Sequence, residues 1–387
     1  MEQATATASG LSQQLSRRNF LKASGLSAMA LGLAPAAGFA AEQEQAEASE
    51  DTADATGAAD AAGAEVSDDK LTFELIKEAD DVLEGSVVIP TPLVPLSYTI
   101  DGCPQVFLKL ENLQHTNCFK LRGAYFRISR LTDEEKARGV VTSSAGNHAQ
   151  GVGYASRAFG IDATIFIPAI APQSKIDRTR SYGVDVRIVD GSFEDSLQAA
   201  QDFAEETGAI FVPPYNDVCV MAGQGTIGIE IMEERDDLDA IVVPVGGGGL
   251  IAGIAMAVKT INPDIKVYGV ESEGAPSMHE SLAAGEPVTV ATVESLADGL
   301  DVARPGDLTF AVAQEYVDDV FVVNEAQIAQ AMKTLALEGK IVAEGAGACA
   351  FAAVCAGLIP LGPDAKVACV VSGGNVNATT LSDIILD

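Results

Sequence analysis

The stretch Ala240-Ile-Val-Val-Pro-Val-Gly-Gly-Gly-Gly-Leu250 decides how the rest of this chain is read. Its first six residues are a short apolar run rich in β-branched side chains, the pattern of a buried strand. Gly246, Gly247, Gly248 and Gly249 follow at once, and from Leu250 to Ile261 apolar residues recur on a helical period. A strand that passes through four residues without side chains into a helix predicts an α/β unit. It also predicts an anion site, because backbone N–H groups can crowd round one phosphate while the helix dipole favours its charge. Four consecutive glycines are more than a tight strand-to-helix turn requires. The spacing Gly247-x-Gly249-x-x-Ala252 also satisfies a dinucleotide-binding pattern, and Glu271, after the apolar run 266–270, stands where a ribose-binding acid is expected.

Outward from this unit, from about Leu71 onward, strand and helix patterns alternate. Strand candidates are 106–110, 140–142, 163–167, 186–189, 210–212, 241–245, 266–270, 320–323 and 367–371, with helical stretches such as 197–206 and 328–337 between them. That alternation predicts open parallel sheets with helices on both faces. No internal repeat is present.

Three other segments carry chemistry. Asn117-Cys118-Phe119-Lys120-Leu121-Arg122-Gly123 places a lysine at the start of a helical pattern. Lysine can hold an aldehyde cofactor as a Schiff base and afterwards move protons with its freed amine. A single lysine there is otherwise an ordinary surface residue. Ser143-Ser144-Ala145-Gly146-Asn147-His148-Ala149 opens a second helical pattern, whose N–H groups suit a carboxylate. Ser372-Gly373-Gly374-Asn375 follows a buried-strand run, where open α/β sheets place ligand contacts, though it is also plain turn chemistry. The dinucleotide reading leaves Lys120 and the Asn147 loop without a task.

Together these segments resemble the threonine/serine dehydratase branch of the fold-type II pyridoxal phosphate (PLP) enzymes, a tryptophan synthase β-like fold. Further stretches share the likeness: Ile89-Pro-Thr-Pro-Leu93, Phe211-Val-Pro-Pro-Tyr215, Ala222-Gly-Gln-Gly-Thr-Ile-Gly228, Leu296-Ala-Asp-Gly299 and Glu344-Gly-Ala-Gly347. The chain is most similar to the short catabolic threonine ammonia-lyases; longer biosynthetic relatives carry a regulatory domain after the serine-glycine loop, whereas this chain ends at Asp387. The resemblance implies a PLP-dependent ammonia-lyase that converts L-threonine to 2-oxobutanoate and ammonia, and L-serine to pyruvate and ammonia. Serine racemase and threo-3-hydroxyaspartate dehydratase of the same fold are the alternatives. Below them stand a Rossmann-type nucleotide binder and a non-catalytic exported protein of this fold.

By the same resemblance Lys120 is catalytic and holds the cofactor, Phe119 packs on its ring, and the Asn147 side chain meets its phenolic oxygen. Gly246, Gly247, Gly248 and Gly249 hold its phosphate, and Ser372 faces the ring nitrogen. Ser144, Ala145, Gly146, Asn147 and His148 bind the substrate carboxylate. The proton needed by the departing hydroxyl would come from the cofactor phosphate or, less readily, from Glu344. Relatives carry a serine where this chain has Cys118, and those that racemise serine carry a serine at the position of Ala145. Relatives that use a divalent cation place an acid at the position of Ser277, while Glu271 matches another ligand; the metal is left open. Homo-oligomers are implied.

The resemblance divides the chain into a large PLP-binding domain, 67–138 with 217–387, and a small inserted domain, 139–216. Ahead of these, Arg17-Arg18-Asn19-Phe20-Leu21-Lys22, a mildly apolar stretch and Gly38-Phe39-Ala40 resemble a twin-arginine signal peptide over 1–40, which implies passage through the twin-arginine export machinery. Glycines and Pro35 interrupt the apolar stretch, and it is too short for a spanning helix, so the mature form is expected to be free of the membrane. Residues 41–66 form an acidic, Ala-rich tether unable to bury enough apolar surface to order itself. The formal charge of −31 makes nucleic acid a poor partner. Six cysteines show no zinc spacing, and three histidines make a histidine-based metal site improbable.

Overall fold

In the computed structural model the described residues are 70–98 and 102–386, so the signal-peptide and tether expectations over 1–40 and 41–66 lie outside them. Among the described residues ten strands form two sheets. The first contains β1 (Leu93–Pro95), β2 (Gln105–Leu110), β7 (Ala240–Pro244), β8 (Lys266–Ser272), β9 (Asp319–Val323) and β10 (Lys366–Val371), in the order β1-β2-β10-β7-β8-β9. The second contains β3 (Val140–Ser143), β4 (Ala163–Pro168), β5 (Asp185–Val189) and β6 (Ile210–Phe211), in the order β5-β4-β3-β6. Every pairing is parallel except β1 with β2.

β1 was not expected from the sequence, because Pro90, Pro92 and Pro95 argue against a strand. It exists because it is an edge strand, where an absent N–H costs no ladder bond. The other strands lie within a residue or two of the apolar runs that predict them.

Alternation along the central strands explains why the first sheet is covered on both faces. Ala240 and Val242 of β7, with Val367, Cys369 and Val371 of β10, pack with Ile328, Met332 and Leu335 of the helix Glu325–Leu337 and with Phe351 of the helix Gly345–Cys355. Their neighbours Ile241, Val243, Ala368 and Val370 face the other way, against Ile227 and Ile231 of the helix Val218–Glu234 and Ile251 and Ile254 of the helix Gly249–Ile261. The second sheet is covered likewise. Ile165 and Ile167 pack with Val152 and Ala155 of the helix Asn147–Phe159, whereas Val141 and Phe166 pack with Ala200 of the helix Phe193–Thr207.

One helix contact sets the position of Lys120. The helix Lys120–Ser129 crosses the helix Val218–Glu234 where Gly123 meets Gly223; a Cβ on Gly223 would lie 2.6 Å from the Gly123 Cα. Two glycines permit this approach, and no side chain fits between them.

Candidate active site

The three candidate loops all leave the carboxyl ends of parallel strands: 144–146 after β3, 246–248 after β7 and 372–375 after β10. A fourth, Val212-Pro-Pro-Tyr215, leaves β6. Open α/β sheets bind ligands at such ends.

Lys120 is where these loops converge. It begins its helix, and its Nζ donates to the Pro214 carbonyl at 2.6 Å and lies 5.2 Å from the centroid of the Phe119 ring. Burial, opposed only weakly by Cys118, lowers its amine to about 8. The preceding residues are clamped to the serine-glycine loop. Phe119 N–H donates to the Ser372 carbonyl at 3.1 Å, Cys118 forms an antiparallel bridge with Gly373, and Gly374 N–H donates to the Asn117 carbonyl at 2.9 Å. Ser372 is therefore held beside Phe119. From the other side, a Cβ on Gly151 would lie 3.0 Å from the Lys120 carbonyl carbon, so the helix Asn147–Phe159 also rests on Lys120.

Two helix N-termini at this convergence leave their donors open. Gly248 takes φ 90° at the start of the helix Gly249–Ile261, and among the described residues the N–H groups of Gly246 to Ile251 have no protein acceptor. Tyr215, next to the Pro214 that receives Lys120, packs over this loop; a Cβ on Gly247 would meet its ring at 2.4 Å, and one on Gly249 its Cα at 3.0 Å. At the second N-terminus Ser144 N–H is spent on the Phe166 carbonyl and Gly146 N–H on the Ser144 hydroxyl. The N–H groups of Ala145, Asn147, His148 and Ala149 have no protein acceptor among the described residues.

Side chains of the second loop are already engaged. Asn147 donates from Nδ2 to Glu344 Oε1 at 2.6 Å and accepts from Asn375 Nδ2 at 2.7 Å. The His148 ring N–H donates to the Val212 carbonyl at 2.9 Å, so toward the open side His148 offers only its backbone. Its other ring nitrogen is buried without a partner, and burial, with Lys120 nearby, drives its pKa down to about 3. Burial acts oppositely on Glu344. It pushes the carboxyl up to about 7, against the lowering effect of the Asn147 hydrogen bond.

Under Lys120 runs a buried ionic network. Arg122 donates to both oxygens of Glu111 and both of Glu230, at 2.7–2.9 Å, and Lys109 pairs with Glu230 at 2.7 Å. It holds the helix that carries Lys120.

Tyr215, Asn375 and Arg122 were given no role from sequence. Position was the available signal for two of them, since Tyr215 and Asn375 stand just past strand ends, as ligand contacts do. Glu271 is engaged by the chain's own backbone. Its two carboxylate oxygens accept from Met278 and His279 N–H, each at 2.8 Å, at the start of the helix Ser277–Ala284.

A family model for pyridoxal-phosphate dependent enzymes matches residues 84–373. The chain belongs to that family. It is 49% identical over 318 residues to the L-threonine ammonia-lyase of Thermotoga maritima, a match covering 81% of this chain and 78% of that protein. It is 44% identical over 321 residues to the catabolic L-threonine dehydratase of Escherichia coli K12, covering 81% of this chain and 98% of that one. Among solved structures, maize serine racemase superposes with a TM-score of 0.76 at 36% identity, covering 82% of this chain and 97% of that one. This is a PLP-dependent enzyme of α/β architecture.

The residues present fit that cofactor. An enclosed amine of lowered pKa suits an aldehyde, and six open N–H groups, four of them on glycines, at a helix N-terminus suit a phosphate.

Proposed function

We propose that this protein is an L-threonine ammonia-lyase that also accepts L-serine. The observation that carries the reading is the convergence on Lys120 of two helix N-termini with open donors, in a chain whose relatives at 44–49% identity are named for threonine deamination. Lys120 would hold the cofactor, with Gly246, Gly247, Gly248 and Gly249 on its phosphate, Phe119 against its ring, Asn147 near its phenolic oxygen and Ser372 at its ring nitrogen. Bound there, PLP supplies a carbonyl to take the substrate amine and a conjugated ring to receive the electron pair released at Cα.

The protein's own part is to bind the substrate and move two protons. The open N–H groups of Ala145, Asn147, His148 and Ala149 bind the carboxylate, the helix dipole adding to their attraction. Lys120 Nζ removes the α-proton. The β-hydroxyl must leave as water and needs a proton; the Glu344 carboxyl, raised toward neutrality by burial and bonded to Asn147, would give it. Addition of water to the resulting enamine product yields 2-oxobutanoate, or pyruvate from serine, and ammonia. Ser372 offers a hydroxyl where a carboxylate would enforce ring protonation, which favours prompt loss of the β-substituent.

The test is release of ammonia and 2-oxo acid from L-threonine, L-serine and threo-3-hydroxyaspartate by the wild type and by Lys120→Ala. Turnover that survives in Lys120→Ala sinks the assignment. The second reading, serine racemase, is favoured by the maize structure, and D-serine accumulating as fast as pyruvate would establish it in place of the first.

We further infer export, supported by Arg17-Arg18 and the small-residue site ending at Ala40. Replacing both arginines by lysine is expected to hold the protein in the cytoplasm; unchanged export would refute the twin-arginine route.

A further inference from the structure

Two of the six cysteines lie together, outside the site described above. Cys103 precedes β2, and its thiol donates to the Val354 carbonyl with Sγ and O 3.7 Å apart. Val354 adjoins Cys355, the last residue of the helix Gly345–Cys355. Burial pushes the Cys355 thiol up, and Cys103 beside it adds to that rise. Both residues are partly exposed, whereas Cys118, Cys219, Cys349 and Cys369 are buried. Cys369 lies near the pair but is fixed in β10, hydrogen-bonded between β2 and β7, with no exposed surface. Cys103 and Cys355 are therefore the two partly exposed thiols of the chain, and they are neighbours in the fold.

We propose that Cys103 and Cys355 form a disulfide when the folded protein meets a small-molecule or protein disulfide. The Cys103 thiolate attacks one sulfur of the oxidant and releases its other half as a thiol. Cys355 then attacks the Cys103 sulfur of the mixed disulfide and releases the second half. Two protein thiols lose two protons and two electrons, and the oxidant disulfide is reduced to two thiols. Cys103 acts first because it is the less enclosed; burial pushes Cys355 up to about 12 and leaves it the slower nucleophile. The bond ties the entry to β2 to the end of a helix packed on the same sheet, closing a loop that spans most of the folded chain. Cross-links across long loops constrain the unfolded chain most. Such a bond is at home outside the reducing cytoplasm, which agrees with the export inferred above, and it is independent of the reaction catalysed.

The experiment exposes the purified full chain to glutathione disulfide, quenches with acid and counts thiols after denaturation. Four of the six are expected to remain, a peptide joining Cys103 to Cys355 is expected in the digest, and the thermal midpoint should rise by several degrees and fall back on reduction. Cys103→Ser and Cys355→Ser should each lose both the linked peptide and the reduction-dependent midpoint shift while releasing ammonia like the reduced wild type. Six surviving thiols, a stable glutathione adduct on Cys103, or a link to Cys369 would each overturn the proposal.

Discussion

Replacing Arg122 by methionine removes the centre of the buried network under Lys120. Its guanidinium is 1% exposed and Glu111 is fully buried. In the variant Glu230 keeps Lys109 at 2.7 Å, but Glu111 keeps only the Thr91 hydroxyl. One carboxylate is thus left buried without a countercharge, and breaking such a pair costs about 3–5 kcal/mol. Urea unfolding followed by circular dichroism at pH 7 should show that loss. Acid supplies a second check. Burial raises Glu230, but Arg122 and Lys109 outweigh it and hold the carboxyl at about 2, below the ordinary 4.5. The stability gained from this lowering is complete above 4.5 and is lost as pH falls toward 2. The variant lacks the larger of the two attractions, so it loses less over that window and the gap to wild type should narrow. Adding Glu111→Leu to the variant should recover part of the loss, since an apolar replacement for a buried ion pair is often neutral. A loss below 1 kcal/mol at pH 7, or a gap that does not change with pH, would refute the reasoning.

Three further outcomes follow from the site. Gly247→Ala should fold yet lower cofactor affinity, because its Cβ would meet the Tyr215 ring at 2.4 Å and displace it over the open N–H groups; titration of the apoprotein followed by absorbance reads this, and unchanged affinity would remove Gly247 from the cradle. The rate at which the apoprotein takes up cofactor should rise about tenfold per pH unit below about 8 and flatten above it, since the reacting form of Lys120 is the unprotonated amine; stopped-flow absorbance across that range checks it. Ala145→Ser should raise D-serine formation, by up to about a hundredfold if the new hydroxyl acts as a positioned acid, and chiral analysis of L-serine incubations measures it.

Much of the fold was legible because its strands are buried on both faces and so appear as continuous apolar runs such as 240–245 and 366–371. β1 was not, because Pro95 within it and Pro90 and Pro92 just ahead of it read as loop until an edge position is known. The glycine loop was legible because four residues without side chains have few other uses. Glu344 was named only as a minor proton source. What gives it weight is the Asn147 amide that it faces across almost two hundred residues of chain, together with enclosure, and neither is a property of Glu-Gly-Ala-Gly as a string. Glu271 shows the same limit: the string does not reveal that its carboxylate meets two backbone donors of the next helix.

The same enclosure sorts the titratable groups by task. His148, which stands in the motif next to Asn147, would by type be the first choice for moving protons near neutral pH. Its position denies it that role, since its one N–H is committed to the Val212 carbonyl and burial keeps the ring from taking a second proton until about pH 3. Lys120 and Glu344 are displaced toward neutrality from opposite sides, the amine down to about 8 and the carboxyl up to about 7. Each therefore changes protonation at little cost near pH 7, one by accepting a proton and the other by giving one. Loss of water across a Cα–Cβ bond needs both transfers, whereas racemisation needs a donor on the opposite face at Cα, and the residue that the resemblance assigns there, Ala145, has no proton to offer. The balance of groups in this cleft thus favours elimination.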